Sequence, residues 1–230
     1  MNKKQDYINH GNVTLLDSIN NFKKDLSKKT IKNYIKNKMV KVNDKVITAY
    51  RMVSDYVKHS SNNKYIFVVH RLDQDTSGIL IFCKNEKIRD KMQDNWNTMV
   101  KKRGYIAIVD GILKGSGTRR SYLMEDRNQF VYSSKNSHGK EAITHYSSIK
   151  SNKNYSLVQV FIDTGRRNQI RVHLSEMGYP IVGDKKYKCK TNPIKRLCLH
   201  ANILEFIHPV SKKLIHIESN LPKEFNKIIK

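Results

Sequence analysis

The stretch from Val68 to Phe82, VVHRLDQDTSGILIF, places a run of polar residues between two apolar runs. Both apolar runs read as strands, so the loop from His70 to Gly78 is held at each end and its side chains can be aimed. The loop carries two carboxylates, Asp73 and Asp75, with His70 and Ser77 beside them. Two chemistries are imitated and fail on their remaining parts. Asp73, Asp75, Ser77 and Gly78 begin like a calcium loop, but Lys84 stands at the twelfth position where a bidentate Glu is required. Ser77 with His70 and an Asp would make a nucleophile and its base, but the strand-elbow pattern G-x-S-x-G is absent. Taken alone, H-R-x-D is better read as a hydrogen-bonded loop without chemistry.

A second cluster, DTGRRNQIRVHLSEMGYPIVGD (163–184), puts a Gly-containing turn with Arg166 and Arg167 ahead of a helix carrying Gln169, Arg171 and His173. Guanidinium groups at a helix N-terminus suit phosphate or carboxylate, and a solvated basic turn is the plain alternative. A third, LCLHANILEFIHP (197–209), flanks an apolar strand with His200 and His208. Cys189, Cys198 and His200 fit no tetrahedral zinc framework, so no metal is expected, and these side chains read as core. GILKGSG (111–117) lacks the Gly-Lys-Ser/Thr ending of a phosphate loop.

The elements that must position these groups change character near Thr48. Before it, Leu15, Leu16, Ile19, Phe22 and Leu26 share a helical stripe, and Ile31, Tyr34, Ile35 and Met39 line a second helix whose remainder is lysine. VKVNDKVI follows as a small hairpin around Asn43-Asp44. After it, TAYRMVSDYV reads as a helix, and strands are expected at 65–70, 79–84, 105–111, 141–149, 155–162, 198–206 and 214–219. Helices are expected in NEKIRDKMQDNWNTMV and NQIRVHLSEMG, and loose segments at 114–121 and 133–140. The expected fold is α+β, a mixed, largely antiparallel sheet behind a small N-terminal α/β module, with a boundary between residues 47 and 48.

Composition bounds the partners. The 230 residues carry 44 Lys and Arg against 20 Asp and Glu, a net charge of +24. Such a surplus repels itself unless it meets a polyanion, which points to nucleic acid and leaves DNA and RNA open. No stretch has the ~20 apolar residues of a membrane span. Three cysteines without framework spacing suit a reducing compartment, so a cytoplasmic protein without structural disulfides is expected.

The clusters in their order, HRLDQDTSG, GYIAIVDG, TGRRNQIRVHL and RLCLHANILEFIHP, resemble the RluA-type pseudouridine synthases over about residues 48–225, and residues 26–46 resemble the S-four-like RNA-binding domain. The resemblance implies an isomerase that turns uridine into pseudouridine within structured RNA, needs neither cofactor nor metal, and acts on large-subunit rRNA before tRNA, as a monomer. It makes Asp73, Tyr105 and Arg171 catalytic, with Arg171 holding Asp73 charged. His70, Arg71, Leu72, Leu199, Arg166 and Gln169 would contact substrate, and Lys28, Lys29, Lys32 and Lys36 would contact RNA. Two departures stand out: Arg167 and Asn168 replace a small residue or Pro and a His, and the strand with K-P-x-G that precedes HRLD in the family is missing. The second opens the alternative of a non-catalytic RNA-binding protein that keeps the fold; a basic ribosome-associated protein is a third.

Overall fold

The computed structural model describes residues 65–134 and 137–230, together with Lys41–Val42, Lys45–Val46, Val53, Ser54 and Val57. The chain divides into two compact units, Met1–Ile66 and Phe67–Lys230. In the first, β1 (Lys41–Val42) pairs antiparallel with β2 (Lys45–Val46), the hairpin expected around Asn43-Asp44. The two N-terminal helices, most of the helix expected at TAYRMVSDYV and the 47/48 boundary lie outside the described residues.

The second unit is built on an eight-stranded sheet. Its strands are β4 (Ser77–Gly78), β6 (Val100–Asp110), β7 (Ser116–Glu125), β8 (Val131–Ser134), β9 (Lys140–Ser151), β10 (Tyr155–Ile162), β11 (Leu199–Ile207) and β12 (Leu214–Glu218). The order is β12-β11-β6-β10-β9-β7-β8, antiparallel throughout, and β4 adds to β11 as the one parallel pair. This is the mixed, largely antiparallel sheet read from the sequence. The central strands are rich in Val, Ile, Leu and Phe, and Ala107, Ile108, Val158 and Val160 are fully buried.

Among the described residues of this unit the helices are α1 (Glu86–Asp94), α2 (Trp96–Met99), α3 (Gln169–Glu176) and α4 (Lys223–Asn226). Asn85 caps α1 by accepting from the Ile88 N–H at 3.1 Å. A first core gathers Ile108, Leu157, Leu174 and Leu199 with Phe225 of α4. A second packs Val69, Cys83, Met92 and Met99 against Leu204 and Phe206, which fixes the ends of the loop from His70 to Gly78. In a third, Val172 of α3 and Tyr187 meet Leu123 and Ala142 of the sheet.

Two expectations change. The segment 114–121, read as loose, is mostly β7, and Ser133–Ser134 belong to β8. Strand pairing on both sides of β7, from Ser116↔Ser147 to Glu125↔Val131, overrides the weak strand preference of Gly, Ser and Arg. Conversely, YIFVVH and ILIFCK supply only β3 (Phe67–Val68) and β5 (Phe82–Cys83), a separate two-stranded sheet; beside them Val69, Ile79 and Ile81 pack into the second core, while Tyr65 and Leu80 are exposed.

Candidate active site

The loop between β3 and β5 is tied down at three places. At its base His70 Nε2 accepts from the Ile81 N–H at 3.1 Å while the imidazole stacks on Trp96, centroids 4.9 Å apart. Burial pushes the His70 pKa down to about 4, the Arg71 backbone hydrogen bond opposes this and the charge of Arg103 adds to it, so His70 is a neutral structural ring near pH 7. At the turn, the Thr76 N–H donates to the Asp73 carbonyl at 3.1 Å, with Asp75 in the left-handed region at φ 68°. Beyond it Gly78, at φ 127°, lies so close to β11 that a Cβ there would sit 2.1 Å from the Ala201 carbonyl oxygen. Ser77 shares a 2.8 Å hydrogen bond with His200, not with His70.

Asp73 stands at the tip of this frame, opposite the N-terminus of α3. Asn168 caps that helix in the left-handed conformation, φ 54° and ψ 17°, and donates its backbone N–H to Asp73 Oδ2 at 2.9 Å. A helix N-terminus favours negative charge at that position. The direct partner of Arg171 differs from the one expected. Its Nε and Nη2 make 2.7 Å bonds to both oxygens of Asp184, which is 1% exposed, and its Nη1 donates to Asn168 Oδ1 at 3.0 Å. Burial opposes the Arg171 charge, but Asp184, with smaller contributions from Tyr187 and Asp73, offsets it and the net shift is upward. Arg171 therefore reaches Asp73 through Asn168, because the buried Asp184 carboxylate offers it bidentate geometry.

Behind the carboxylate, β6 and β11 form the wall. Tyr105 lies opposite Val160 on one side and Ala201 on the other, and Leu199 pairs with Ala107, so Tyr105 and Leu199 share a face of the sheet. Burial pushes the Tyr105 phenol up, Arg103 opposes and Asp73 reinforces, which keeps the hydroxyl protonated near neutral pH. A cavity of about 680 Å³ is lined by His70, Arg71, Leu72, Asp73, Tyr105, Arg166, Gln169, Arg171 and Leu199, all nine of the site residues expected in this unit. Lys28, Lys29, Lys32 and Lys36 lie outside the described residues.

Gln169 has a different use from the one expected. It is 2% exposed, its Oε1 accepts from the Thr164 hydroxyl and the Arg166 N–H, and its Nε2 donates to the Ile143 carbonyl and Thr144 Oγ1. With its amide committed on both sides it clamps the turn 163–168 onto the sheet and has nothing left for RNA. Sequence reasoning passed over Trp96, Arg103 and Asp184. Arg103 lay ahead of the strand expected at 105–111, which β6 extends back to Val100, where Arg103 shares the face of Tyr105; Asp184 closed the second cluster, but nothing in its spacing named Arg171 as its partner.

One cavity thus gathers a carboxylate on a braced loop, a tyrosine, an apolar wall and several arginines. The sequence model described as RNA pseudouridylate synthase matches residues 1–176. The chain belongs to the RNA pseudouridylate synthase family. Within that family it is 36% identical over 163 residues to the uncharacterized RNA pseudouridine synthase YhcT of Bacillus subtilis (strain 168), covering 70% of this chain and 54% of that protein. It is 37% identical over 181 residues to ribosomal large subunit pseudouridine synthase C of Buchnera aphidicola subsp. Baizongia pistaciae, covering 73% and 57%. The chain thus spans about half the length of the curated relatives it matches. Among solved structures, human RNA pseudouridylate synthase domain containing 4 shares the fold with a TM-score of 0.64 at 21% identity, covering 78% of this chain and 81% of that one. Human RNA pseudouridylate synthase domain containing 1 does so at 0.59 and 23%, covering 68% and 69%. Among the described residues no helix is long and apolar enough to cross a membrane.

Proposed function

We propose that this pseudouridylate synthase family member isomerises uridine to pseudouridine in structured RNA, with large-subunit rRNA as the favoured substrate and tRNA as the second. The observation that carries this reading is Asp73 fixed on a braced loop inside a cavity that also holds Tyr105, Leu199 and the arginine rim. At about 680 Å³ the cavity is within the range of roughly 300–1,000 Å³ that takes a small molecule, hence one extruded nucleotide.

The reaction breaks the bond between uracil N1 and ribose C1′, turns the base, joins C5 to C1′ and expels the proton of C5. Asp73 acts as nucleophile at C1′ or as base at C2′. Tyr105 stacks on the uracil and its neutral hydroxyl is placed for proton transfer. Leu199 packs against the base, while Leu72, Arg71 and Arg166 face the surrounding nucleotides. Arg171 acts on Asp73 through Asn168. No step calls for a metal or cofactor. Residues 1–47, read as an S-four-like module, add phosphate contacts through Lys28, Lys29, Lys32 and Lys36. A monomer in the cytoplasm completes the reading.

Large-subunit rRNA transcribed with tritium on uridine C5 tests it. The native chain should release tritium to water, and Asp73→Asn should release none while binding the RNA with affinity within about threefold. Collapse of affinity together with turnover would show that Asp73 holds the RNA and would remove its catalytic assignment.

A further inference from the structure

Five arginines line the cavity, and they are not equivalent. Arg171 is bidentate on Asp184, and Arg167 pairs with Glu125 and donates to Gln129. Arg103 is different: it stands partly buried on the same face of β6 as Tyr105, and among the described residues it makes no salt bridge. Its Nη2 donates to a neutral acceptor, the Asp163 carbonyl, and its Nη1 lies against Gly165, where an added Cβ would be 2.8 Å away. Arg166, the residue after Gly165 in that turn, has its Nε on the Glu141 carbonyl, again a neutral acceptor. Arg103 and Arg166, both lining the cavity, thus each spend a guanidinium nitrogen on a backbone carbonyl rather than on a carboxylate oxygen.

We propose that Arg103 is a substrate-binding residue that takes a backbone phosphate next to the flipped nucleotide, and that Gly165 leaves the space its guanidinium needs to do so. The inference rests on the RNA-modifying reading above. An anion between Arg103 and Arg166 turns their mutual repulsion into two attractions, whereas a neutral uracil relieves neither. A guanidinium also matches phosphate oxygens in a bidentate way that an ammonium does not. Burial disfavours the Arg103 charge, Tyr105 and Asp163 support it and Arg166 adds to the penalty, so an anion placed beside it would favour that charge.

Equilibrium binding of a large-subunit rRNA transcript over a range of salt concentrations, run beside turnover, tests this. Arg103→Gln should weaken binding about tenfold and lower the slope of log affinity against log salt by about 0.7 to 0.9, one phosphate contact. Arg103→Lys should keep most of the slope and lose part of the affinity. Gly165→Ala keeps every charge but pushes the guanidinium aside, and should weaken binding in the same direction. Unchanged affinity and slope in Arg103→Gln overturns the proposal. So does lost turnover at unchanged slope, which would make Arg103 a prop for the turn. If the native chain forms no pseudouridine but Arg103→Gln still lowers the slope, the catalytic reading fails and the phosphate contact stands.

Discussion

Asp184 never faces the substrate, yet the geometry of the site depends on it. It accepts two bonds from Arg171 and the backbone N–H groups of Lys186 and Tyr187, and Arg171 in turn holds Asn168, whose N–H meets Asp73. Its side chain is wholly buried and that of Arg171 is 11% exposed, so removing one partner leaves the other charge without compensation. Asp184→Asn is expected to cost about 3–5 kcal/mol in urea unfolding and to slow turnover at saturating RNA. A stability within about 1 kcal/mol of the native chain would show the pair to be dispensable. Two further residues set a pH dependence. Burial holds both His70 and His173 at about 4; for His173, Glu176 opposes the shift and Arg119 adds to it. Unfolded, each binds its proton near pH 6.5, so between 6.5 and 4 the unfolded chain carries more protons and stability falls as pH falls, by about 1.4 kcal/mol per pH unit for each group. His173→Gln should flatten the acid limb of a plot of unfolding free energy against pH; an unaltered limb would place the acid sensitivity elsewhere.

The loop from His70 to Gly78 shows at the level of elements why the active centre needs a sheet edge beside it. Ser77–Gly78 pairs with His200–Ala201, and the Ile79 N–H continues to the Ala201 carbonyl at 2.9 Å. Gly78→Ala meets that carbonyl and forces a strained φ, so it should cost at least about 2 kcal/mol and reduce turnover together with the melting temperature. A variant with native melting temperature and turnover would remove the role given to this contact. The same loop marks the limit of what the sequence shows. Its polar residues between apolar runs and the β-branched and aromatic runs at 105–111 and 198–206 are local signals, and they placed Asp73 on a loop and Tyr105 and Leu199 on strands. β7 escaped notice because Gly117, Arg119 and Arg120 become strand only through partners distant in sequence. The Arg171–Asp184 pair and the four bonds of Gln169 escaped for the same reason: residue type names a donor, but only the fold decides which acceptor reaches it first.

At the scale of the whole molecule the charge of +24 and the cavity make one argument, since a polyanion must be gripped broadly while a single nucleotide is drawn into a small site. If the lysines of residues 28–36 share that grip, a chain lacking residues 1–47 should bind RNA more weakly and with a shallower salt dependence. An unchanged slope would reduce them to ordinary solvated surface. The sequence made the missing K-P-x-G strand a reason to consider a binding protein without turnover, while the cavity still assembles Asp73, Tyr105 and Leu199. The most direct test of the central claim is therefore a map of pseudouridine positions in large-subunit rRNA transcript after incubation with the purified chain, with Asp73→Asn alongside. Pseudouridine at defined uridines with the native chain and at none with Asp73→Asn is the predicted result. Pseudouridine formed equally by both, or by neither while the RNA remains tightly bound, contradicts it.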